Sequence, residues 1–278
     1  MNQNKENKTM KKLYFGMLLM AGLALTACSS DDNSTEPQAP KTYYMTVDAS
    51  KAVNEAFSRV PTRALSLDGS KLNATWATTE NVYVQGTLKS DGTTKFWFKG
   101  SIKPQYAGTT TRLNGVISLP DGWTYASIDD AISTPHTLTL QFPRSGELDY
   151  TGQVGTLADI AAKYDYAVAE NVRVDVEADK VKGVFEVPFV NQQAIVKFTL
   201  SSKTDGTLNP SAVNIQYGED NLSLTIPSST YTTNGNGVLY VAIPGFSGKL
   251  VLEATVGDKT YKFTKNNVTL EDGKYYEF

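Results

Sequence analysis

One thiol and one imidazole, Cys28 and His136, are the whole supply of those two groups in 278 residues. A histidine-based triad would have to run through His136, no Cys-x-x-Cys redox pair can form, and no zinc site of Cys/His type can be assembled. The nearest approaches to a carboxylate pair are Glu147 with Asp149 and Asp129 with Asp130. Glycoside hydrolysis needs two carboxyls facing each other across a cleft, whereas acids adjacent on a polar stretch read as surface groups. His136 shares parity with Leu138, Leu140 and Phe142, which makes it a histidine at the edge of a core. The expectation is a protein that is not an enzyme, with no catalytic residue, no cofactor and no metal site.

The thiol has a different use. Lys8, Lys11 and Lys12 precede the apolar run Leu13 to Leu25, which has the length of a signal-peptide core and is short for a membrane span. The run ends in Leu25-Thr26-Ala27-Cys28, which resembles the bacterial lipobox, so Cys28 is the expected lipidation site. Signal peptidase II would remove residues 1–27 and leave Cys28 as the new N-terminus. Two or three acyl chains, at about 0.8 kcal/mol per buried CH₂, hold a protein on a bilayer where one chain does not. Ser29-Ser30-Asp31-Asp32 resembles the surface-export signal of Bacteroidales lipoproteins, and residues 28–41 read as a Ser/Thr/Pro tether. The expected location is the outer membrane, lipid-anchored and facing outward. Residues 1–27 carry four Lys and one Glu, so their removal takes the formal charge from −3 to −6, and nucleic acid is not an expected partner.

The elements that must position everything else have a period of two. Ala194, Val196, Phe198 and Leu200 alternate with Ile195, Lys197 and Thr199; Leu222, Leu224 and Ile226 alternate with Asn221, Ser223 and Thr225. Turn signals recur at short intervals, among them Asp91-Gly92, Asp205-Gly206, Gly257-Asp258 and Asp272-Gly273. An all-β chain of two antiparallel β-sandwich domains follows, with one short helix over Leu157 to Tyr164 capped by Thr156. The charged stretch Arg173 to Lys182 places the domain boundary near Lys180 to Gly183, giving residues 42–182 and 183–278. Phe96 and Phe98 take the apolar parity and leave Trp97 outside it, a candidate contact for a ligand or a subunit. Trp76 and Trp123 read as packing residues.

Several of these features, in this order, resemble the fimbrillin family, the subunits of Bacteroidales type V pili. They are the lipobox, a first strand Thr42 to Ala49, Pro61-Thr62-Arg63-Ala64, Trp76 leading into Asn81-Val82-Tyr83-Val84, the strand Ala194 to Phe198, Val241-Ala242-Ile243-Pro244 and the closing Gly273-Lys274-Tyr275-Tyr276. The resemblance implies transthyretin-like sandwiches, export as a lipoprotein, trimming by an Arg-specific protease and assembly with other pilin subunits by donor-strand exchange. In the first strand Tyr43, Met45, Val47 and Ala49 share a face and form the strand to be displaced. Ser50 to Leu65 reads as an irregular hinge carrying Arg59 and Arg63. On the residues alone Arg63 is a loop charge; the resemblance makes it, with Arg59, the processing site, so that residues 42–63 are removable. Only Lys274 to Phe278 follow the last turn, about enough to finish the chain's own sheet, which favours a tip or anchor subunit over a repeating stalk subunit. The alternative is a surface lipoprotein that does not polymerise and binds glycan; host or bacterial surface glycan or protein is the remaining partner class.

Overall fold

Alternating side chains become paired strands from the first described residues onward. The computed structural model describes residues 41–51, 66–68, 71–219, 222–227 and 236–278. The chain begins with β1 (Thr42–Lys51), β2 (Ser66–Asp68), β3 (Lys71–Asn73), β4 (Tyr83–Thr87), β5 (Lys95–Trp97), β6 (Lys99–Pro104) and β7 (Thr110–Ser118). One helical turn, α1 (Ile128–Ala131), leads to β8 (Thr137–Phe142). The second helix, α2 (Leu157–Asp159), continues as a π-helical turn over Ile160–Tyr164 and precedes β9 (Ala167–Glu177), β10 (Lys180–Gly183) and β11 (Val187–Asn191). The rest comprises β12 (Ala194–Thr199), β13 (Ser201–Ser202), β14 (Gly206–Thr207), β15 (Ala212–Gly218), β16 (Leu222–Pro227), β17 (Val238–Ile243), β18 (Phe246–Val256), β19 (Lys259–Leu270) and β20 (Tyr275–Glu277). The chain is all-β in character, as its period predicts.

The first sheet runs β5-β4-β8-β9-β10-β1-β7-β6, with β11 beside both β1 and β9. It folds back on itself. Val82 and Ile102 exchange backbone hydrogen bonds of 2.8 and 2.9 Å, and the Phe98 N–H donates to the Val84 carbonyl at 2.9 Å. The chain can therefore pass from β5 in one layer to β6 in the other within a few residues. Gly100 sits at that corner with φ 88°, and a Cβ there would stand 2.3 Å from the Val116 carbonyl oxygen, so only glycine fits. The enclosed core includes Trp76, Val84, Ile102, Leu113, Phe142 and Phe189.

The charged stretch Arg173–Lys182 is the β9–β10 hairpin, turning through Ala178 (φ 53°) and Asp179 without a glycine. Val187 and Phe189 of β11 still pack in the first core, and the second core takes over at Ala194. There the sheet β17-β12-β20 covers the sheet β16-β15-β18-β19, burying Val196, Phe198, Val213, Ile215, Leu239 and Leu252. The expected turns are present: Gly206, with φ 70°, opens β14 opposite Ser202 of β13, and Gly257, with φ 58°, lies between β18 and β19, which pair up to Val256↔Lys259.

The Leu157–Tyr164 helix forms where expected, and the Thr156 hydroxyl accepts from the Asp159 N–H at 3.2 Å. Its Ile160, Ala161 and Tyr164 pack on Ile195 and Ala242. This explains why Ile195, on the face expected to be polar, is fully buried: β12 is covered on both sides. The outer edge of β17 is closed by Gln153, whose amide accepts from the Ala242 N–H at 2.8 Å and donates to its carbonyl at 2.7 Å.

Candidate functional site

The first strand is a central strand of the first sheet. β1 pairs antiparallel with β7 from Thr42↔Ser118 to Ser50↔Thr110. Its other edge pairs in parallel with β10 over Tyr44–Thr46 and with β11 over Ala49–Lys51. Both rows of backbone groups are thus engaged, and the strand lies between elements from distant parts of the chain. Tyr43, Met45, Val47 and Ala49 are each no more than 1% exposed. The Tyr43 hydroxyl also accepts a 3.0 Å hydrogen bond from the Ile128 N–H, joining the strand to the start of α1. Gly183 of β10 makes room for Val47: a Cβ there would meet the two Val47 methyls at 3.1 and 3.2 Å.

On the outer face the Arg112 Nε donates to the Asp48 carboxylate at 2.8 Å across the β1–β7 ladder. That hydrogen bond, reinforced by the charge of Arg112, holds the Asp48 carboxyl below its ordinary pKa.

The strand runs two residues further than its apolar pattern suggests. The Lys51 N–H donates to the Thr109 carbonyl at 3.0 Å, and Lys51 aligns with Phe189 of β11. Its side chain continues the inward parity of Tyr43 to Ala49 and is 2% exposed. The ammonium lies 3.1 Å from Asp165 Oδ2, 3.5 Å from Glu80 Oε1 and 3.2 Å from the Thr75 carbonyl oxygen. It also sits over the rings of Trp76 and Phe142, at 4.6 and 4.3 Å from the centroids. Sequence reading missed this cluster, because Lys51 stands where the hinge was expected and its polar partners come from two separate segments, before β4 and before β9. Parity was the one available signal.

Cys28, Arg59 and Arg63 lie outside the described residues. Trp97 is half-buried on β5, opposite Gln85 of β4, and is not part of the β1 surroundings. Trp76 is fully buried edge-on to Phe142 and Phe189, while Trp123 packs against Phe96 and Tyr125. His136 is 8% exposed at the core edge, with Nε2 2.9 Å from the Asp129 carboxylate. Asp130, Glu147 and Asp149 are exposed.

Fold and site together define an all-β sandwich protein whose first described strand completes a core built from residues far along the chain. A Bacteroides ovatus ATCC 8483 protein assigned to cell adhesion is 17% identical with a TM-score of 0.41, covering 86% of this chain and 91% of its own. A fimbrial protein from the same organism is 10% identical with a TM-score of 0.37, covering 86% of this chain and 48% of its own, so this chain spans about half its length. A Bacteroides eggerthii DSM 20697 protein assigned to cell adhesion is 12% identical with a TM-score of 0.34, covering 85% of each chain. These are distant likenesses. No family model matches the chain, and no curated protein matches it.

Proposed function

We propose that this chain is a structural subunit or adhesin of a cell-surface pilus, exported as a lipoprotein through Cys28 and assembled by strand exchange. An Arg-specific protease cuts the segment carrying Arg59 and Arg63, β1 leaves, and a strand from a neighbouring subunit fills the groove between β7 and the β10/β11 edge. The observation that supports this most is the seating of β1. The ten-residue strand fills a slot roughly 33 Å long at ordinary strand rise, and the segment with both arginines follows it directly.

The energetics favour refilling over a bare groove. Loss of β1 exposes the contacts of Tyr43, Met45 and Val47, each worth about 1.5 to 3 kcal/mol, and unpairs the facing edges of β7, β10 and β11. An incoming strand restores both, which is how β-strand addition joins subunits without a covalent bond. The test is the double variant Arg59→Ala, Arg63→Ala. It is expected to resist the Arg-specific protease and to stay monomeric by size-exclusion chromatography. Fibres formed as readily as by the parent protein would overturn the cleavage step and favour the static, glycan-binding surface lipoprotein.

A further inference from the structure

We propose that the cavity beside Phe185, on the outer face of the first sheet, is a binding site for a neutral glycan. This rests on the adhesin part of the proposed function and names the class of ligand held. The cavity measures about 570 Å³ and is lined by Glu170, Asn171, Arg173, Phe185, Glu186 and Gln192 among others, a size ordinary for small-ligand sites.

Two neighbouring departures from regular pairing build it. Leu138 of β8 pairs with Val172 of β9 and Leu140 with Ala169, so Thr139 faces both Glu170 and Asn171. The result is a β-bulge with Asn171 at φ 54°, and these two consecutive side chains are both exposed, where strict alternation would turn one of them inward. In the next lane Thr46 of β1 pairs with Lys182 of β10, and Ala49 with Val187 of β11. Val47 and Asp48 therefore span the same stretch as the longer run Gly183 to Glu186. The surplus chain leaves the sheet and carries Phe185, which is 67% exposed. The Val184 N–H donates to the Arg173 carbonyl at 3.0 Å and ties the two departures together.

An aromatic ring open to water offers its face to the C–H side of a sugar ring. Among the described residues the side chains of Glu170, Asn171, Arg173 and Glu186 form no hydrogen bond and no ion pair, so their donors and acceptors are free for hydroxyls. Charge then chooses the ligand. An anionic sugar meets Glu170 and Glu186, and a cation meets Arg173. A neutral sugar suits all three, its hydroxyls donating to the carboxylates and accepting from the guanidinium and the amides. Asn171 fits the same reading, because glycine is the more comfortable residue at its φ but brings no amide to the cavity.

The experiment uses the full mature chain, fluorescently labelled and left uncleaved at Arg59 and Arg63. The probe is a printed array of neutral, sialylated and sulfated oligosaccharides, with lysine-rich peptides as a further set. Neutral oligosaccharides are expected to retain the protein, and the one that retains it best is then titrated. Phe185→Ala and Asn171→Gly are each expected to weaken that binding about tenfold, the loss of one ring face or one hydrogen bond. Both should keep the parent's melting temperature, since Phe185 belongs to neither core and glycine suits the bulge. Should Asn171→Gly disturb the fold, Phe185→Ala decides alone. Unchanged binding by Phe185→Ala would overturn the site. Retention confined to sialylated or sulfated sugars, or to the peptides, would overturn the ligand class, and so would no retention at all. None of these results bears on assembly, which is read from fibre formation by the Arg59→Ala, Arg63→Ala variant; fibres from that variant would overturn the cleavage step and leave the glycan site standing.

Discussion

Lys51 is the residue at which packing and charge meet. Its ammonium lies 3.1 Å from the Asp165 carboxylate, both side chains being no more than 3% exposed, and breaking such a buried pair by removing one partner costs about 3 to 5 kcal/mol. Lys51→Met keeps most of the volume but not the charge and is expected to lower the urea midpoint by that amount without changing the slope. A midpoint like the parent's would show that the cluster is solvated rather than buried. Asp48 behaves differently because it is half-exposed. Its pKa is lowered chiefly by the Arg112 hydrogen bond. A depressed folded pKa contributes stability that is present above the ordinary Asp value and is lost as pH falls through the lower folded value. An NMR titration should find Asp48 below the ordinary Asp midpoint, and in Arg112→Leu it should move up toward it; no movement would mean that the cross-strand pair does not form in solution.

At the scale of elements, the seat of β1 depends on the smallness of a neighbour, Gly183 of β10. Gly183→Val would push side-chain carbons against Val47, already at 3.1 Å from where a Cβ would stand, and the strand would have to move outward. Hydrogen exchange is expected to accelerate across Thr42 to Lys51 and in its partners β7 and β10 while the β15–β18 pairing keeps its protection. Uniform protection would show that the sheet absorbs the extra volume. Much of this element was legible, since Tyr43, Met45, Val47 and Ala49 announce a buried face by alternation alone. The same logic found the Leu157–Tyr164 helix through Thr156 and the hairpins at Asp205-Gly206 and Gly257-Asp258.

What escaped the sequence did so for physical reasons. Ile195 is buried because a helix from elsewhere covers the second face of β12, which a local period cannot report. The β9–β10 hairpin turns at Ala178-Asp179 with no glycine or asparagine signal, so no turn residue announces it. Glu80 and Asp165 reach Lys51 across 29 and 114 residues of chain, and only the closed sheet brings them together.

At the scale of the whole molecule the proposed pilus role joins an expected lipid address at Cys28, a proposed cleavage segment at Arg59 and Arg63, and a sandwich whose first strand is held on both edges. In that proposal each has a physical role in one sequence of events: anchoring, release, refilling. The central claim is that residues 42–63 leave when the subunit joins a fibre. N-terminal sequencing and peptide mapping of the protein in fibres sheared from the cell surface test this directly. The account predicts a subunit beginning at or near Ala64, with no Thr42 to Lys51 peptide in the fibre; fibres in which every subunit retains that peptide within an uncut chain would contradict it.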